Sequence, residues 1–145
     1  MTFQTVRGYF EKITYQGLRL AGVSADHIFF DNTAETPPGP DATYAVISLT
    51  FADVVTPTIG CDGGEDLKGT LRCNIYSPKM QGSKPGEDVC LEVIKGWARI
   101  NRATVDHAVL AKASTWNIDG PRTIAPDERP HHVNVVTCAF RGRPA

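Results

Sequence analysis

The sequence has no surplus of either charge. Fifteen Lys and Arg stand against sixteen Asp and Glu, a formal net charge of -1 over 145 residues. A dedicated nucleic-acid binder ordinarily carries a basic surplus, so this balance argues against one. No run of Lys and Arg is visible either. No apolar stretch approaches the roughly 20 residues of a membrane span. The first residues, MTFQTVRGYFEKITY, lack the apolar core of a secretory signal. A cytosolic protein without a membrane segment is expected. Cysteine is sparse, and none of Cys61, Cys73, Cys90 and Cys138 sits in a C-x-x-C pair. The last three fall inside regular elements and read as small buried hydrophobes, in keeping with a reducing compartment. Cys61 falls in a polar loop. Internal repeats and low-complexity tracts are missing. So are G-x-S-x-G, the P-loop and G-x-G-x-x-G.

What is present is organised around residues 67–99, LKGTLRCNIYSPKMQGSKPGEDVCLEVIKGWAR. Over 69–76 the residues alternate, with Leu71, Cys73 and Ile75 on one face and Thr70, Arg72, Asn74 and Tyr76 on the other. That is the period of a strand. SPKMQGSKPG then supplies turn residues. From Pro85 the period changes, and Val89, Cys90, Val93, Ile94 and Trp97 form one helical stripe. Pro85 suits a first helical turn. Glu87 and Asp88 near the start and Lys95 and Arg99 near the end complement the helix dipole.

The flanks follow the same rules. Residues 2–16 read as an amphipathic helix, with Phe3, Val6, Phe10 and Ile13 on one face, Thr2 as N-cap and Gly17 as stop. Residues 27–30 read as a short edge strand. The stretch 31–41, DNTAETPPGPD, is a loop by composition. Residues 43–51 read as a strand with Ala45, Ile47, Leu49 and Phe51 on one face and Tyr44 and Val46 on the other. A further strand is expected over 109–116. The stretch 119–130, DGPRTIAPDERP, reads as a turn or projecting loop. A last strand is expected over 131–140, and the tail RGRPA is expected to fray. The sum is a single α+β domain over 1–145. It has a mostly antiparallel, mixed sheet, two helices packed on one face and long projecting loops.

Candidate chemistry yields little. Asp62, Glu65 and Asp66 beside Cys61 lack the calcium-loop pattern and read as a solvated acidic loop. His131 and His132 are neighbours on a strand, so their side chains point to opposite faces and do not form a joint site. His107 beside Asp106 has the same difficulty. DGGED is glycine-rich but has the wrong sign for cradling phosphate. No catalytic, cofactor-binding or metal residue is assigned, and no enzyme activity is expected. A small hydrolase or ligand-binding domain using His107, His131 or His132 stands as the alternative of another class. It would require a pocket with convergent titratable groups.

The connection 52–66, ADVVTPTIGCDGGED, is the least ordinary stretch. It joins two strands expected to pair antiparallel, where 2 to 5 residues would suffice. Val54, Val55, Thr56, Thr58 and Ile59 are expected to prolong the strand as an arm, with 60–66 as its acidic tip. Small, near-neutral domains with long loops suit assembly. The candidate contact residues are therefore those five with Asp62, Glu65 and Asp66, then Lys79, Gln81 and Lys84 in the second loop, and Trp116 and Arg122 around the third.

The order of features resembles the tail terminator (tail completion) proteins of long-tailed bacteriophages. A short N-terminal helix is followed by IFFDNTAETPPGPDATYAVISLTF, a long strand connection, GTLRCNIYSPKMQGS, a helix, a strand, a proline-rich loop and the closing strand HHVNVVTCAFRGR. The resemblance implies a structural virion protein of the tail or neck, assembled in the host cytoplasm and without a cofactor. It implies a homohexameric ring on the head-proximal end of the tail tube. Such a ring ends tube polymerisation and joins the tail to the neck or head connector. DNA would pass through its lumen without sequence-specific binding. Another neck or head–tail joining protein would share this profile.

Overall fold

A computed structural model describes residues 2–31, 42–55, 66–78, 84–101, 110–124 and 131–144. The element order is α1 (Thr2–Leu20), β1 (Ile28–Phe30), β2 (Tyr44–Val55), β3 (Asp66–Pro78), α2 (Lys84–Ile100), β4 (Leu110–Ile124) and β5 (His131–Pro144). The five strands form one mixed sheet in the order β1-β2-β3-β5-β4. β1 runs parallel to β2, and all other pairs are antiparallel. Both helices pack on one face, giving the α+β fold expected of the sequence.

The core lies between the helices and that face. α1 contributes Val6, Phe10 and Leu18, α2 contributes Val89, Cys90, Val93 and Trp97, and the sheet contributes Ile47, Leu71, Cys73, Ile75, Val136, Cys138 and Phe140. These are the inward phases of the alternating strands and the stripe of α2, so the periodicities select the buried side chains. Phe10 and Phe140 meet with ring centroids 4.7 Å apart. Trp97 is fully buried, and its indole Nε1 donates to Thr14 Oγ1 at 2.9 Å. Thr14 in turn donates to the Phe10 carbonyl at 2.9 Å. The buried indole is thereby satisfied.

Three expectations are corrected. Gly17 does not end α1, which runs on to Leu20. A Cβ at Gly17 would stand 3.2 Å from the Glu92 carbonyl and from Val93 Cα, so the glycine admits the backbone of α2. The helix stops at Gly22, at φ 94°, where Val23 N donates to Leu18 O and Gly22 N to Arg19 O. That is the Schellman arrangement, which takes a left-handed residue at little strain only as glycine. Residues 119–124 are not loop but the far half of β4. Register shifts between Trp116 and Asp119 and between Asp119 and Arg122 each absorb one extra residue, and Pro121 is tolerated because β4 is an edge strand. The tail 141–144 does not fray. It pairs with β4 on one side, and on the other Lys68 and Leu67 of β3 pair Arg141 and Gly142, with Gly142 seated under Val6 and Phe10.

Candidate assembly surface

The β2–β3 hairpin ends in a bulged extension. Its regular ladder runs from Tyr44↔Tyr76 to Phe51↔Gly69. A bulge follows, and pairing resumes at Val54↔Leu67 and Val55↔Asp66. The strand is therefore prolonged as the sequence suggested, through Val54 and Val55 on one side and Asp66 on the other. Thr56, Thr58, Ile59, Asp62 and Glu65 lie outside the described residues, as do Lys79 and Gln81 of the second loop.

The sheet face turned away from the helices divides into two regions. At one end Tyr44, Tyr76, Val133 and Val135 form a second, smaller apolar cluster with Phe29 and Val46. The Tyr44 and Tyr76 rings stack at 4.4 Å and 3°. At the other end the outward positions are polar and basic. Lys68 is paired directly across from Arg141, and Arg72 across from Thr137. Arg143 is the next outward position of β5 beyond Arg141. Trp116 of β4 pairs with Ala139 at this end, whereas Arg122 pairs with Val135 beside the apolar cluster. Pairing thus gathers basic residues from distant parts of the chain, although no basic cluster is visible along the sequence. The signal lay in the outward phases of β3 and of the RGR tail. It becomes visible only when the tail is counted as strand.

Lys84, Trp116 and Arg122 are exposed. Trp116 is 41% exposed, next to Asn117, which has a φ of 52° at the bulge between Trp116 and Asp119. Arg122 forms an ion pair with Asp119 on the same exposed strand. Lys84 opens α2, the wrong sign for that end of the helix dipole. Its Nζ stands 2.7 Å from Asp88 Oδ2, and that hydrogen bond holds the ammonium above its ordinary pKa. Arg72 Nε donates to Asn74 Oδ1 at 2.9 Å.

The sheet edges differ in availability. β1 has only three residues. On β4, Asn101 Nδ2 donates to Thr115 O at 2.7 Å and Thr115 N donates to Asn101 Oδ1 at 3.0 Å. Bulges and a proline interrupt the edge further on. These are the devices that keep an edge from adding strands indiscriminately.

Titratable groups elsewhere are structural in placement. Burial pushes the Cys73 thiol far up, reinforced by nearby Cys90. Burial, with Glu87 adding to it, pushes Cys90 up to about 12, and burial alone does the same for Cys138, also to about 12. All three are free and buried, and such thiols are not nucleophilic near neutrality. Partial burial raises the Glu11 carboxyl against the opposing pull of Arg7. His132 lies on the inward phase of β5, with Nε2 buried and without a hydrogen-bond partner. His107 and the His131 side chain lie outside what the structure describes. A groove of about 160 Å³ lies between the helices, lined by Tyr9, Ile13, Gly17, Glu92, Gly96 and Arg99 among others. Gly17 abuts Glu92 and Val93 there and Gly96 abuts Ile13, and the lining contains no histidine or cysteine.

No family model matches the chain. No curated protein matches it in sequence. Among solved structures, one protein whose name states no function shares the fold over 98% of this chain and 96% of its own. Its TM-score is 0.63 at 16% identity. A second similar chain belongs to the virion of a native gene transfer agent particle, with 90% of each chain covered, a TM-score of 0.49 and 16% identity.

Proposed function

We propose that the protein is a structural component of a phage-type virion, a tail terminator. Copies of the chain form a homohexameric ring on the head-proximal end of the tail tube, end its growth and present the opposite surface to the neck or head connector. DNA passes through the lumen without being read. The observation that carries this reading is the β2–β3 hairpin. It runs through a bulge to Val55↔Asp66 and there bears a connection far longer than a hairpin needs. A second support is the feature order along the chain, which resembles that family.

Mechanistically, a growing tube offers each added ring the same non-closing contact. A terminator binds the last ring through one surface and presents different chemistry on the other. In this reading Val54, Val55, Thr56, Thr58 and Ile59 belong to the arm, and Lys79, Gln81, Lys84, Trp116 and Arg122 to further contacts. The test is the mass of the purified protein by light scattering, followed by negative-stain imaging. Six copies of 15.8 kDa make a particle of about 95 kDa, seen end-on as a ring with a central channel. A monomer that also fails to bind tail tubes contradicts the reading.

A further inference from the structure

We infer that the groove between α1 and α2 receives the exposed Leu91 of a second copy, with Glu87 of that copy set against Arg99 on the groove wall. This contact rests on the ring reading above and supplies a joint between its copies.

The groove is built to stay open. It measures about 160 Å³, with Tyr9, Ile13 and Gly17 on the α1 side and Gly96 and Arg99 on the α2 side. An apolar cavity of about 150 Å³ takes a benzene-sized group, so one leucine side chain fits. Gly17 is needed within the chain, because the backbone of α2 passes it at 3.2 Å. Gly96 has no such reason. A Cβ there would meet only Ile13, at an ordinary 3.7 Å. Glycine is a poor helix former, and alanine would fit. What the missing side chain does is leave the groove wall bare for an entering group.

The entering group is on the same helix. Leu91 is 50% exposed. Glu87 lies four residues earlier, on the same face, and is exposed. Arg99, three residues after Gly96, is exposed too. Lys84 is matched with Asp88 and Lys95 with Glu92 within α2. Among the described residues Glu87 and Arg99 form no ion pair. These two leftover charges are opposite in sign and roughly 18 Å apart along the helix, too far to meet within one copy. Between copies, Leu91 and Glu87 of one complement Gly96 and Arg99 of the next. The two surfaces differ, so the contact is heterologous and leaves a free end for a further copy.

The test is solution mass by light scattering over a range of concentrations, with circular dichroism to check folding. Wild type is expected to give the six-copy mass. Leu91→Asp and Gly96→Leu, which fills the groove, are each expected to be folded monomers. Their equimolar mixture retains one intact groove and one intact leucine, so a two-copy species and nothing larger is expected. Gly96→Ala should raise the melting temperature and still weaken association, which separates assembly from folding. E87R and R99E should each weaken association about tenfold, and the double variant E87R/R99E should regain it. Variants that keep the wild-type mass overturn the inference and leave the ring reading standing. If they keep that mass and lose only tube binding, the occupant is the tube protein, and the inference falls. A mixture without a two-copy species, or a double variant no better than the single ones, overturns it as well. A wild type that is monomeric at every concentration overturns it, and the ring reading with it if the chain also fails to bind tail tubes.

Discussion

The side-chain amide of Asn101 pairs with the main chain of Thr115 as a neighbouring strand would, donating at 2.7 Å and accepting at 3.0 Å. The Thr115 hydroxyl completes the link by donating to the Trp97 carbonyl at 2.8 Å. The C-terminal end of α2 is thereby tied to the edge strand, and part of that edge is occupied. Asn101→Ala removes both main-chain partners at once. It is expected to destabilise the fold by roughly 1–3 kcal/mol in urea denaturation. It should also produce heterogeneous, concentration-dependent association as the edge opens.

Thr14 and Trp97 hold the two helices together by a buried hydrogen bond. Thr14→Val keeps the shape and strands the indole N–H, an expected loss of about 1–3 kcal/mol. Thr14→Val with Trp97→Phe removes both partners. The double variant should lose less than the sum of the single losses, as read from a double-mutant cycle.

The three buried thiols predict an alkaline limit. In the unfolded chain a thiol titrates at its ordinary 9.0, whereas burial holds Cys90 and Cys138 up to about 12. The folded state thus favours the protonated form. The stability this contributes is complete below pH 9 and is lost as the pH rises from there towards 12. Each thiol should remove about 1.4 kcal/mol per pH unit in that window. Cys90→Ala and Cys138→Ala should each flatten the slope of stability against pH above 9. In a Cys61→Ser background, labelling of the remaining thiols at neutral pH should proceed only at the rate of unfolding.

Trp116 separates stability from assembly. It is 41% exposed and lies on the outward face beside the bulge. Trp116→Ala is expected to change stability by about 1 kcal/mol or less. It should nonetheless weaken binding to tail tubes several-fold in a sedimentation assay, as aromatic anchors do at interfaces. Unchanged tube binding removes Trp116 from the contact.

Much of this fold is legible in the chain, because burial follows period. The stripe Val89, Cys90, Val93 and Trp97 and the inward phase Leu71, Cys73 and Ile75 are all buried. What is not legible depends on pairing partners. Gly17 carries the local signal of a helix stop, yet its missing side chain serves the approach of α2. Pro121 and Gly120 carry the signal of a loop, yet two bulges keep β4 in register with β5. The tail RGRPA looks unsupported until β3 and β4 lie on either side of it. The basic face is hidden for the same reason. Lys68 and Arg141 become neighbours only through the register of β3 and β5.

The most direct measurement is electron microscopy of tail tubes growing from their purified tube protein with this chain added. The proposed terminator predicts tubes that stop at finite length, each with a six-fold ring of extra density at one end. Tubes of unchanged length with bare ends would contradict it.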